Sequence, residues 1–228
     1  MISQRFKILD QIRGLAVLLM IFFHFCYDLS VFHFVKIDFS RDSAFWWGLP
    51  RVIVFLFFFS MGASLTVAHS QSILWRKFLV REAKLLFFAL LISLGTFFFF
   101  RERWVYFGTL HSILISSFFV LPFVRLKWSN FIVGGLIFLV PIMTSFKYPW
   151  FIMEHSSMDY IPPFPWVGVA LMGMAFQNSS NPAKLWIIPE NKGGKVLEFC
   201  GKNALSIYVL HQPILFALVW STYKLLSF

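Results

Sequence analysis

The chain has 228 residues, of which 59% are hydrophobic and 13% charged, with 32 Phe and 9 Trp. Soluble domains carry about 25% charged residues, so charge here is too sparse to coat a water-facing surface, and soluble globular and disordered classes are both excluded. The net charge of +10 does not signal nucleic acid, because the basic residues fall in short segments between apolar runs and form no groove-sized cluster.

A bilayer core of about 30 Å needs about 20 mostly apolar residues as helix. Seven such segments are predicted, at 12–34, 45–68, 83–100, 104–124, 131–149, 161–177 and 203–227. Each is a continuous apolar run rather than an alternating one, which argues against the strands of an outer-membrane barrel. The expected fold is all-α: a polytopic transmembrane helical bundle of about seven spans, forming one integral-membrane domain over residues 1–228.

Arg5, Lys7 and Arg13 ahead of the apolar run 15–23 have the pattern of a secretory signal, but His24, Cys26, Tyr27 and Asp28 stand where small residues of a cleavage site would follow. The segment reads as a retained first span. With the N-terminus cytoplasmic, that side receives Arg5, Lys7 and Arg13, then Arg76, Lys77, Arg81 and Lys84, then Arg125 and Lys127, then Lys184, Lys192, Lys195 and Lys202. The other side receives Lys36, Arg41, Arg101, Arg103, Lys147 and Lys224, about half as many. The positive-inside rule therefore favours N-terminus in and C-terminus out. The longest polar connection, 178–202, is rich in Asn, Pro, Gly and Lys and reads as a cytoplasmic tether. Cys26 and Cys200 have no metal-type spacing, so no disulfide framework and no metal is expected; both read as small apolar fillers.

Ionisable groups inside spans are costly and default to functional hypotheses. They concentrate in the first span as Asp10, Arg13, His24 and Asp28. Eleven residues bring a helix within about 20° of three full turns, so Arg13 and His24 share a face about 16 Å apart, and Asp28 lies one turn beyond His24. Asp28 so placed accepts an imidazole N–H, fixes the tautomer and leaves the other nitrogen of His24 as a base. Arg13 would bind phosphate or polarise a carbonyl. The competing reading is that Arg13 snorkels to headgroups and that His24 and Asp28 only knit helices together. Arg51, His111 and His211, in the second, fourth and last spans, are candidates for substrate binding, with structural hydrogen bonding as their alternative. Asp159 opens DYIPPFPW, whose Pro162, Pro163 and Pro165 preclude a regular helix start; it would form either a vestibule rim that binds substrate or a stiff turn. His69 at a span end and His155 in a loop are expected to be solvated.

The stretch LDQIRGLAVLLMIFFHFCYDL resembles the opening span of the heparan-alpha-glucosaminide N-acetyltransferase catalytic-domain family, in its short bacterial members. FLFFFSMGASL after Arg51, FGTLHSI around His111, DYIPPFPWVGVALMGM around Asp159 and GKNALSIYVLHQPIL near the chain end are similar in the same order. The Arg13-x10-His24 pairing also resembles the arginine–histidine signature of the acyltransferase-3 membrane family. Both resemblances imply acyl transfer: acetyl-CoA or another acyl-CoA as cytoplasmic donor, and a sugar amine or hydroxyl of an envelope glycan, or a small-molecule acceptor, from the other side. The lysosomal members of the first family are longer, with more spans and a luminal domain. Their histidine credited with catalysis follows the first span, which makes His33 the positional alternative to His24.

The expectation is thus a membrane-embedded acyltransferase of the bacterial cytoplasmic membrane. His24, Asp28 and Arg13 are its catalytic group, and its partners are acyl-CoA, the acceptor and the lipid bilayer, with no nucleic acid. Oligomeric state stays open. The rival readings are a transporter or flippase with a buried His/Asp/Arg relay, and a non-catalytic membrane scaffold.

Overall fold

The structure, a computed structural model, describes residues 7–39, 43–178 and 191–226. In chain order the helices are α1 Lys7–Val31, α2 Ala44–His69, α3 Trp75–Phe99, α4 Thr109–Val120, α5 Ser129–Met143, α6 Trp166–Asn178, α7 Lys192–Lys202 and α8 Ala204–Leu226. Among the described residues there is no strand; one isolated parallel bridge joins Phe107 and Tyr160. The all-α expectation holds.

Among the described residues four helices, α1, α2, α3 and α8, are long and apolar enough to cross a membrane, with 25, 26, 25 and 23 residues. At 1.5 Å per residue each exceeds the roughly 30 Å of a bilayer core. The other three expected spans are shorter as helices: 12 residues in α4, 15 in α5 and 13 in α6. A 3-10 turn, Leu121–Phe123, extends α4. Hydropathy reads apolar content, not helical continuity. The run 104–124 becomes helical only at Thr109 because Gly108 is extended; the run 131–149 stops at Met143, with Thr144 extended; the prolines delay α6 until Trp166. Large apolar side chains stay exposed along the helices, among them Val80, Phe87, Phe98, Ile132 and Ile142, the surface that lipid tails cover in place of water.

The chain divides into two compact units, Met1–Phe57 with Ala183–Phe228, and Phe58–Pro182. In the first, α1 packs on α7 and α8. The α1–α7 crossing is close because both sides present glycine. A Cβ on Gly14 would lie 2.0 Å from the Leu197 carbonyl oxygen, and one on Gly201 would lie 1.7 Å from that of Asp10. Asn191 caps α7, its Oδ1 accepting from the Gly194 N–H at 2.9 Å. This corrects the expectation of a tether over 178–202: residues 191–202 form a capped, docked helix, while 179–190 lie outside the described residues. The helix was missed because Gly193, Gly194 and the lysines read as linker composition, whereas its inner face buries Gly194, Glu198, Cys200 and Gly201.

In the second unit α5 packs on α6, and α4 on α3 and α6. Its core holds Phe58, Leu65, Phe78, Val169, Leu171 and Met174. Facing glycines again set the closest approach, since a Cβ on Gly134 would meet the Gly168 carbonyl oxygen at 2.4 Å. The proline-rich segment is tied to the 103–109 loop: the Met158 N–H donates to the Arg103 carbonyl at 2.9 Å, and the Ile161 N–H to that of Phe107 at 3.2 Å.

Candidate functional site

In the first unit, α1 and α8 bring together His24, Asp28, His211 and Gln212. The rings of His24 and His211 meet edge to face with centroids 4.9 Å apart. His211 is 9% exposed. Its Nδ1 lies 2.7 Å from the Tyr208 carbonyl oxygen, and a carbonyl can only accept, so Nδ1 carries the hydrogen and Nε2 is left with its lone pair. That Nε2 is buried and has no hydrogen-bond partner. Pro213 two residues on has no N–H for the Val209 carbonyl, which loosens the backbone ladder beside the ring.

The expected hydrogen bond between Asp28 and His24 is not formed. The Asp28 carboxylate, 3% exposed, instead accepts from Gln212 Nε2 through both oxygens, at 3.0 and 3.2 Å. The reason is packing: α8 presents an amide directly to the carboxylate, and the His24 ring turns against His211. Gln212 is the site residue that sequence reasoning missed. A search for ionisable groups passes over a neutral amide, although its place beside His211 was a usable signal. The Gln212 Oε1 atom is buried and, like His211 Nε2, has no partner.

The other candidates of this unit stand apart. Arg13 forms an ion pair with Asp10 at 3.3 Å, Arg13 being 29% exposed and Asp10 2%; along α1 it is about 16 Å from His24. His33 ends α1. Its φ of 62° lies in the left-handed region, and the Phe34 N–H reaches back to the Leu29 carbonyl at 2.9 Å, the wrapping of a helix C-terminus. Its side chain is exposed. Arg51, also exposed, stacks its guanidinium 3.6 Å over the Trp47 ring and donates to the Trp47 carbonyl.

The second unit holds His111 and Asp159, each with local partners. The Gly108 N–H donates to His111 Nδ1 at 3.2 Å, so Nε2 bears the hydrogen and donates to Ser93 Oγ at 3.2 Å; Ser93 in turn donates to the Val105 carbonyl at 2.7 Å. This imidazole is satisfied at both nitrogens. Asp159 accepts from the Thr109 N–H at 2.8 Å and from its hydroxyl at 3.1 Å, capping α4 from a distant loop. His69 and His155 were expected to be solvated. Instead His69 is 2% exposed and accepts from the Leu74 N–H at 3.1 Å, and His155 stacks on Trp104.

Glu82 was also missed, because the expected span began one residue after it. It lies inside α3, 3% exposed, with Arg81 bridging its Oε1 and Ser117. Among the described residues no group of three or more His, Cys, Asp or Glu is placed to hold a metal ion.

Long apolar helices, two of which bring an imidazole pair together, define the class as a helical membrane protein. The chain belongs to the family described as heparan-alpha-glucosaminide N-acetyltransferase, catalytic, whose model matches residues 5–213. Membership carries a membrane acetyltransferase kind of function. No curated protein and no solved structure matches the chain.

Proposed function

We propose that the chain is a multi-pass acyltransferase of the bacterial cytoplasmic membrane. It takes the acyl group of acetyl-CoA, or of another acyl-CoA, to an amine or hydroxyl of an envelope glycan or related small acceptor. The observation that carries this reading is His211: its Nδ1–H is held by the Tyr208 carbonyl and its Nε2 is buried without a partner. A buried lone pair of fixed direction is what a general base requires.

In this reading His211 Nε2 takes the proton of the acceptor amine or hydroxyl as the acceptor's nitrogen or oxygen bonds to the acyl carbon. The C–S bond breaks, and the proton passes from His211 to the departing thiolate, leaving free coenzyme A. His24, against the ring, keeps the imidazole in place. The role first expected of His24 alone thus becomes that of a pair, with Asp28 acting on Gln212. Arg13 is too far along α1 to share a reacting atom; with Asp10 it suits the phosphate end of an extended acyl-CoA. Arg51 over Trp47 suits the headgroup region. The surplus of basic residues supports N-terminus in and seven crossings, with α4, α5 and α6 as short spans.

The test is acetyl transfer and coenzyme A release in membranes carrying single variants. His211→Ala is expected to lose about 10²–10⁴-fold in turnover, the usual share of a general base, and His24→Ala to lose activity as well, both remaining inserted. Full activity in His211→Ala would overturn the assignment. Purified protein that fails to bind acetyl-CoA would favour the transporter reading.

A further inference from the structure

We infer that Gln212, oriented by Asp28, is an acceptor-positioning residue that takes a hydrogen bond from an O–H or N–H beside the reacting atom of the acceptor. The inference rests on the acyltransferase reading above and names the group that recognises the nucleophile's side of that reaction.

Two atoms on consecutive residues of α8, whose α1 partners His24 and Asp28 lie one turn apart, carry the argument. His211 Nε2 and Gln212 Oε1 are both buried and both lack a partner. Both are acceptors, and the structure fixes each in that state. His211 Nδ1–H is committed to the Tyr208 carbonyl. One nitrogen of Gln212 faces both Asp28 oxygens, at 3.0 and 3.2 Å, and an ionised carboxylate only accepts. Flipping the amide would set oxygen against carboxylate oxygen, so Asp28 holds Oε1 outward, on the side away from itself. A buried acceptor left unmade is costly, and only a donor relieves it.

An acyl thioester offers no donor at its reacting end, since its oxygen and sulfur accept. The two atoms therefore do not read the acyl group. A nucleophile whose donors all sit on the reacting atom has none to offer from the neighbouring position. One with an amine or hydroxyl beside a second hydroxyl or N–H satisfies both, with Gln212 pinning the neighbour of the atom that reacts. The fixed amide needs no reordering on binding, which favours positioning.

The experiment compares D-glucosamine, which carries hydroxyls beside its amine, with cyclohexylamine, which has none, as acceptors in membranes of the wild type and Gln212→Met. The expected result is that the ratio of kcat/KM for glucosamine over cyclohexylamine falls about 10–100-fold in Gln212→Met, the size of one buried hydrogen bond, with the KM for acetyl-CoA unchanged. Asp28→Asn, which frees the amide to flip, should lower the ratio in the same direction. An unchanged ratio in Gln212→Met overturns the inference while leaving the acyltransferase reading intact. Should the wild type transfer to neither amine, the acyltransferase reading fails instead, and glucosamine-induced thermal stabilisation of purified protein decides the inference. Stabilisation present in wild type and lost in Gln212→Met upholds it, and stabilisation equal in both, or absent from both, overturns it.

Discussion

At the residue scale, the half-buried His111 and the buried His211 have opposite environments. His111 has both nitrogens engaged, by Gly108 and Ser93, whereas His211 has only one. The first arrangement stabilises structure, because its cost of desolvation is offset bond by bond; the second leaves one nitrogen's lone pair unengaged. Ser93→Ala removes the acceptor of the His111 N–H and also the hydroxyl donor to Val105. It is therefore expected to destabilise the protein by about 1–3 kcal/mol, read as a lower unfolding temperature in detergent. An unfolding temperature equal to wild type would show that the chain Gly108–His111–Ser93–Val105 adds nothing. His24 and Asp28 were legible from helical phase, since i and i+4 share a face. Their partners, His211 and Gln212, were not, because they stand on α8, with Gln212 184 residues from Asp28, and because a neutral amide leaves no charge pattern to detect.

At the element scale, irregular stretches and glycines decide where helices begin and how near they come. Asp159 looked like a vestibule group, yet it supplies the start of α4 with the acceptor that Gly108 cannot offer from a side chain. Asp159→Ala should cost about 0.5–2 kcal/mol, the range for a lost helix cap, measurable by thermal unfolding; a neutral result would mean that water replaces the carboxylate without loss. The α1–α7 crossing is the more sensitive contact. Any side chain at Gly201 meets the Asp10 backbone, so Gly201→Leu is expected to separate α7 from α1. Cys200 reports on this. It is buried in the native unit, and burial pushes its thiol above the ordinary range, so the thiolate fraction at neutral pH is small and rises only in more alkaline solution. Maleimide labelling of Cys200 at pH 7 should be slow in the wild type and clearly faster in Gly201→Leu, with Cys26→Ala as the background to isolate the signal. Equal rates would show that the close approach does not hold α7 in place.

At the scale of the whole molecule, the excess of basic residues on one side favours a cytoplasmic N-terminus. Four helices are long enough to cross, and α4, α5 and α6 at 12, 15 and 13 residues cross only with local thinning of the bilayer or help from the flanking irregular segments. If all seven cross, the two termini lie on opposite sides. A fluorescent-protein fusion at the N-terminus should then be bright, and an alkaline phosphatase fusion at the C-terminus active. Activity at neither terminus, with fluorescence at both, would mean an even number of crossings and would remove at least one short helix from the span count.

Composition and the order of motifs were enough to determine the helical membrane class and the family, because hydrophobicity accumulates residue by residue along the chain and survives any detail of packing. Helical phase likewise placed His24 and Asp28 on one face of α1. Only the tertiary structure decided that Asp28 holds Gln212 rather than His24, that His24 faces His211, that Asp159 caps α4 and that residues 191–202 dock as a helix. Each of these depends on which distant helices meet. That is set by close glycine contacts and by the geometry of single hydrogen bonds, and neither leaves a period or a charge pattern in the sequence.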